Sequence, residues 1–108
     1  GVLLFAACAA NAQDIYNKGK AQLAARDTAG AFSSFRDAVK AGQKLAESNY
    51  YLGAISFAQH KYDDAIGYLQ ASHKEDDDNV DVIKTLAKAF LEKKDDKKPV
   101  KKAEAAEE

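Results

Sequence analysis

The chain has 108 residues, of which 46% are hydrophobic and 31% charged, enough for one small domain with a thin core. Sixteen Lys and Arg against seventeen Asp and Glu leave a net charge of -1, which removes the general electrostatic case for a nucleic-acid or anionic-membrane binder. Two histidines and one cysteine furnish neither a metal cage nor an internal disulfide, so no cofactor and no catalytic chemistry are expected.

The chain opens GVLLFAACAANAQD, and it contains no methionine, so a trimmed chain or one starting inside a longer precursor is expected. A short apolar run from Val2 to Ala7 leads into small residues, and Ala10-Asn11-Ala12 fits the pattern that precedes signal cleavage, which would start the mature chain at Gln13. On this reading residues 1–12 are a secretory remnant, and the protein is exported to a bacterial periplasm or envelope. Two alternatives stay open. The segment is a short apolar helix packed on the rest, leaving the protein cytoplasmic, or Cys8 is lipidated, the one case in which a membrane is a partner. The run is too short to span a bilayer as it stands.

Helices are expected near 13–26, 29–41, 46–59, 63–74 and 80–93. Asp27 and Thr28 are placed to start the second helix and Gly42 to stop it. Asp63 and Asp64 suit the positive end of the fourth. Before the fifth, Glu75-Asp76-Asp77-Asp78 lacks the alternating acids and glycine of a calcium loop, so a capping role for Asp78 or Asn79 is expected in place of a cation site. His73 shares an apolar column with Val39, where a half-buried packing role is expected, and His60 falls at a turn.

A single offset of 34 residues pairs Ala12 with Ala46, Tyr16 with Tyr50, Gly19 with Gly53, Leu23 with Phe57, Ala31 with Ala65, and Phe35 with Leu69. A second step of the same length adds Ile83, Ala87 and Leu91 to the columns of Asn49, Gly53 and Phe57. In period and in its alternation of small and large residues, the chain resembles the tetratricopeptide repeat family over residues 12 to about 94. The second repeat, with Leu52-Gly53, Tyr62, Ala65, Leu69 and Ser72, carries the likeness best. The resemblance implies an all-α fold: a short right-handed α-solenoid of antiparallel helix pairs, about five helices in all. Residues 13–94 form this domain, with repeats near 12–45 and 46–79 and a capping helix at 80–93; residues 95–108 form a charged flexible tail.

The family pattern is broken in places. Ile15 and Asn49 stand in its tryptophan-type column, Arg26 and His60 replace its turn glycine, and Gln43 and Asp77 its closing proline. Glycine in mid-helix costs about 1 kcal/mol against alanine. Gly19 and Gly53 are nevertheless expected there because each lets the second helix of its pair approach closely, with Ala31 and Ala65 as the matching small contacts.

First helices of successive repeats line a concave groove in the resembled family. Carried over by register, the groove would present Tyr16, Lys20 and Leu23, then Tyr50, Ala54 and Phe57, then Lys84, Lys88 and Leu91. Three helices at about 8–10 Å spacing span roughly 20 Å, room for about six extended peptide residues. The expected function is therefore a non-enzymatic scaffold that binds a peptide segment of a partner protein, with no small-molecule substrate. Some family members clamp a terminal carboxylate with a lysine and asparagine set; tyrosines stand at those columns here, and that clamp is not expected. Against groove binding stands the plainer view that the tyrosines cover apolar stems and the lysines solvate the surface. A second function class is a self-assembling structural protein, a homodimer through Ile83, Leu86 and Phe90, because the last helix carries more apolar residues than one face requires.

Overall fold

The structure, a computed structural model, describes residues 15–96. Cleavage after Ala12, lipidation of Cys8 and the flexible tail beyond residue 96 concern residues outside that range. The described residues form five helices: α1 (15–24), α2 (Thr28–Lys40), α3 (Leu45–Ala58), α4 (Tyr62–Glu75) and α5 (Val80–Asp96). Within the described residues, expected and observed helix ends agree to within three residues, the largest difference being α5, which continues to Asp96; the expected start of the first helix at residue 13 lies outside them.

Local chemistry accounts for the boundaries. Asp27 caps α2, its carboxylate accepting the Gly30 N–H at 3.0 Å. Asn79 caps α5, accepting from the N–H groups of Asp81 at 3.0 Å and Val82 at 3.3 Å. The C-terminal end of α2 is a Schellman turn in which Gly42 has φ +74° and donates to the Val39 carbonyl, while Gln43 donates to that of Ala38. The same pair of bonds closes α1 through Arg26 and Asp27, and α3 through His60 and Lys61. The replaced turn glycines therefore leave the turn unchanged: Arg26 takes φ 66° and His60 φ 62°. A left-handed conformation costs a residue with a Cβ about 1–2 kcal/mol. At His60 a side-chain bond partly offsets this, since its Nδ1 lies 2.6 Å from the Tyr62 hydroxyl.

Consecutive helices pack against each other, and side chains also join alternate ones. Tyr16 of α1 meets Tyr51 of α3 with ring centroids 6.3 Å apart, and Phe32 of α2 meets Tyr68 of α4 edge to face at 5.9 Å. The interior divides into two clusters. The first is built on Tyr16, Ala31, Phe35, Ala38, Leu52 and Ile55, the second on Ala65, Ile66, Leu69, Val82 and Ala89. Each fully buried large side chain among them, such as Phe35, Leu52 or Leu69, contributes about 1.5–3 kcal/mol.

Helix α3 stands between the clusters and buries residues on several sides, among them Ser48, Asn49, Leu52, Gly53, Ile55 and Ser56. Two of its buried polar side chains find backbone partners: Asn49 Nδ2 donates to the Leu45 carbonyl at 2.9 Å and Ser48 Oγ to that of Gln43 at 3.4 Å. From α4, Ser72 Oγ donates to the Ala46 carbonyl at 2.6 Å, tying the two helices together.

The two mid-helix glycines sit where helices come closest. A Cβ built on Gly53 would lie 2.6 Å from Leu69 Cγ and 3.3 Å from the Ala65 carbonyl oxygen. One built on Gly19 would lie 2.9–3.1 Å from three atoms of the Phe35 ring. The small residues opposite, Ala31 and Ala65, are fully buried.

Candidate functional site

The residues assigned to the groove fall into three groups. On α1, Tyr16 is only 7% exposed, so it does not offer its ring to a ligand as the repeat register implied. The ring packs edge to face on Phe35 at 5.8 Å, and its hydroxyl is hydrogen-bonded to Tyr51. Burial pushes the Tyr16 phenol up to about 12, with the neighbouring Tyr51 and Glu47 and the bond to Tyr51 adding to the shift. Lys20 is exposed, its Nζ 5.8 Å from the Tyr16 ring centroid, within cation–π range. Leu23 is half-buried against the first cluster.

On α3, Tyr50, Ala54 and Phe57 are half-buried. Tyr50 and Phe57 pack on the second cluster, and Phe57 also meets Tyr62 at 5.6 Å. On α5, Lys84, Lys88 and Leu91 are exposed. Of the residues assigned to self-association, Ile83 and Phe90 are exposed, whereas Leu86 is half-buried and packs inward on the second cluster.

The register missed Tyr51. This half-buried ring stacks on Phe35 at 4.8 Å and meets Tyr50 edge to face at 5.5 Å, making a row from Tyr16 through Tyr51 to Tyr50. Its column reads Asn17, Tyr51, Thr85, so nothing in the repeat marks it as aromatic. A helical count does mark it, because Tyr51 lies three residues before Ala54 and so shares its face. Glu47, exposed and one turn before Tyr51, adds an acidic group to the same side.

A separate depression of about 500 Å³ opens between α2 and α4, where Phe32 and Tyr68 lie beside Arg36, Lys61 and Asp64, with the buried Ser56 in its lining. His73 is half-buried on α4, as its column implied, and its Nδ1 has no hydrogen-bond partner. Among the described residues no group of three or more His, Cys, Asp or Glu is arranged to hold a metal ion, and no helix is long and apolar enough to cross a membrane. Compared with known families and with curated proteins, the chain matches no family model and no curated protein.

Proposed function

We propose that the chain is a helical-repeat scaffold of the tetratricopeptide kind, which holds a short peptide segment of a partner protein across α1, α3 and α5. The observation that carries this reading is the pair of half-buried tyrosines on α3, Tyr50 and Tyr51, with Lys20 exposed near Tyr16 on α1 and with exposed Lys84 and Lys88 on α5 in the repeat columns of Tyr50 and Ala54. A rigid aromatic with a hydroxyl at its rim gives apolar contact at low entropic cost, and a lysine at either side favours a peptide that carries carboxylates. Tyr16 supports the row from beneath, its ring tilted against Tyr51 at 6.3 Å, and Phe35 backs both rings. With residues 1–12 taken as a leader, the partner is a protein of the bacterial envelope, and no catalytic step is involved.

Affinity capture from an envelope extract, followed by titration of the captured peptide into the pure chain, tests the proposal. Tyr51→Ala should weaken binding by at least tenfold and Lys84→Glu with Lys88→Glu by less, with the salt dependence of the latter pair reduced. Binding that is indifferent to both changes refutes the assignment of this face.

A further inference from the structure

We propose that the depression between α2 and α4 is a second ligand site, which takes a small aromatic carboxylate, either a free acid or the C-terminal residue of a polypeptide. The 34-residue register defines it by what the first repeat puts in the same place. There the Gln22 side chain lies across α2: its Oε1 accepts from Ser34 Oγ at 2.5 Å, and a Cβ built on Gly30 would lie 2.7 Å from its Nε2. Beside it Asp27 caps α2 through the Gly30 N–H. The counterparts of Gln22, Asp27, Gly30 and Ser34 in the second repeat are Ser56, Lys61, Asp64 and Tyr68, and all four line the depression of about 500 Å³. Glutamine has become serine, so the space that a carboxamide fills in the first repeat stands open in the second. Its volume falls within the range of about 300–1,000 Å³ usual for small-molecule sites.

The chemistry of the occupant follows from the groups left without partners. Ser56 is 1% exposed, yet its hydroxyl shows no hydrogen bond among the described residues, whereas the other buried serines, Ser34, Ser48 and Ser72, each donate one. Lys61 cannot accept a hydrogen bond, so α4 begins without the side-chain cap that Asp27 gives α2. A carboxylate in the depression supplies that cap at the positive end of the helix, with the Lys61 ammonium beside it and the Ser56 hydroxyl as a further donor. Arg36 adds a second cation on the α2 wall and Asp64 a single anion on α4. Among the described residues none of these three charged groups is paired with another side chain. Two cations against one anion favour a carboxylate over an ammonium. Phe32 and Tyr68, edge to face at 5.9 Å, furnish apolar surface for a flat body.

Amide chemical-shift titration of the full chain with benzoate is the test, with benzamide as the neutral isostere and acetyl-glycyl-glycyl-phenylalanine as the chain-terminal form of the acid. Signals of Phe32, Ser56 and Asp64 should move together, with a dissociation constant on the order of 1 mM for a ligand of so few atoms. Benzamide should bind about tenfold more weakly, since it lacks the charge. Lys61→Asp, at an exposed position, gives α4 the cap that α2 has and should lower benzoate affinity at least tenfold with helicity intact. Ser56→Gln restores the filler of the first repeat and should do the same. Asp64→Asn should raise the affinity about twofold and Arg36→Gln lower it by a similar factor. Tyr51→Ala, on the proposed peptide face, should leave benzoate binding unchanged, so the two surfaces stand or fail separately. Tighter binding of the tripeptide than of benzoate assigns the site to a chain terminus, and the reverse order to a free acid. No saturable shift at these amides with either acid up to about 20 mM, equal binding of benzamide, or benzoate binding indifferent to Lys61→Asp overturns the proposal.

Discussion

Replacing Gly53 by alanine should destabilise the domain although the same change elsewhere in a helix stabilises it. Taken alone, Gly→Ala in a helix gains about 1 kcal/mol. At Gly53 the new methyl would sit 2.6 Å from Leu69 Cγ and 2.9 Å from its Cδ2, with the Ala65 carbonyl at 3.3 Å. Cγ is the branch point of the leucine, not a free end, so the side chain can leave only by changing rotamer or by moving α4 away from α3. Overpacking of this kind costs about 1–3 kcal/mol before any further separation of the helices, and the overlap here lies at the severe end, so a net loss of about 1–2 kcal/mol is expected. Gly67, also helical but with nothing within 4 Å of a built Cβ, supplies the control and should gain up to about 1 kcal/mol on becoming alanine. Urea unfolding followed by circular dichroism reads both, and each kcal/mol corresponds to about 4–8 °C in thermal midpoint for a domain of this size. The double variant Gly53→Ala with Leu69→Ala should be less unstable than the sum of the single changes by about 1 kcal/mol, because the methyl enters space the leucine vacates. If Gly53→Ala raises the midpoint as Gly67→Ala does, close approach is not the reason for glycine at this column.

Arg26→Gly should stabilise by about 0.5–1 kcal/mol by removing a Cβ from a left-handed residue, while His60→Gly should gain less because it also deletes the bond to the Tyr62 hydroxyl; chemical denaturation of the two side by side separates the terms. The raised Tyr16 phenol predicts alkaline lability with a definite sign. An unfolded tyrosine ionises near 10 and the folded one at about 12, so the unfolded state loses its proton first; stability is intact below pH 10, falls between 10 and 12, and levels off above. The loss should reach up to about 3 kcal/mol, and Tyr16→Phe should flatten that segment of the stability–pH curve. A wild-type curve that is flat over this window refutes the burial of the hydroxyl.

Helix number, helix order and the glycine positions were legible because the 34-residue register repeats small against large, and the pattern names both partners of each close contact. Caps were equally legible, at Asp27 and Asn79 because a side-chain acceptor acts over two or three residues, and at Gly42 because a residue without a Cβ takes the left-handed turn freely. Conformation at Arg26 and His60 was not, since tertiary closure of each helix pair imposes the left-handed turn on residues that disfavour it. The unequal fates of Tyr16 and Tyr50, which share a column, arise from the next helix along. Tyr16 is covered by Tyr51, whereas the residue 34 positions beyond Tyr51 is Thr85, too short to cover Tyr50 in the same way. A periodic sequence shows which positions are equivalent, but not when a neighbour of different size makes equivalent positions unlike. The outward row of α5 was legible only as an excess of apolar residues, and Leu86, which packs inward on the second cluster, was assigned to it.

Tyr50 and Tyr51 are successive residues of a single helix, yet one leans on each of the two interior clusters. A load on both rings at once therefore bears on the joint between the halves of the molecule. A ligand resting on both rings would therefore touch both clusters at once, and amide exchange at Leu52 and Leu69 should then slow in concert.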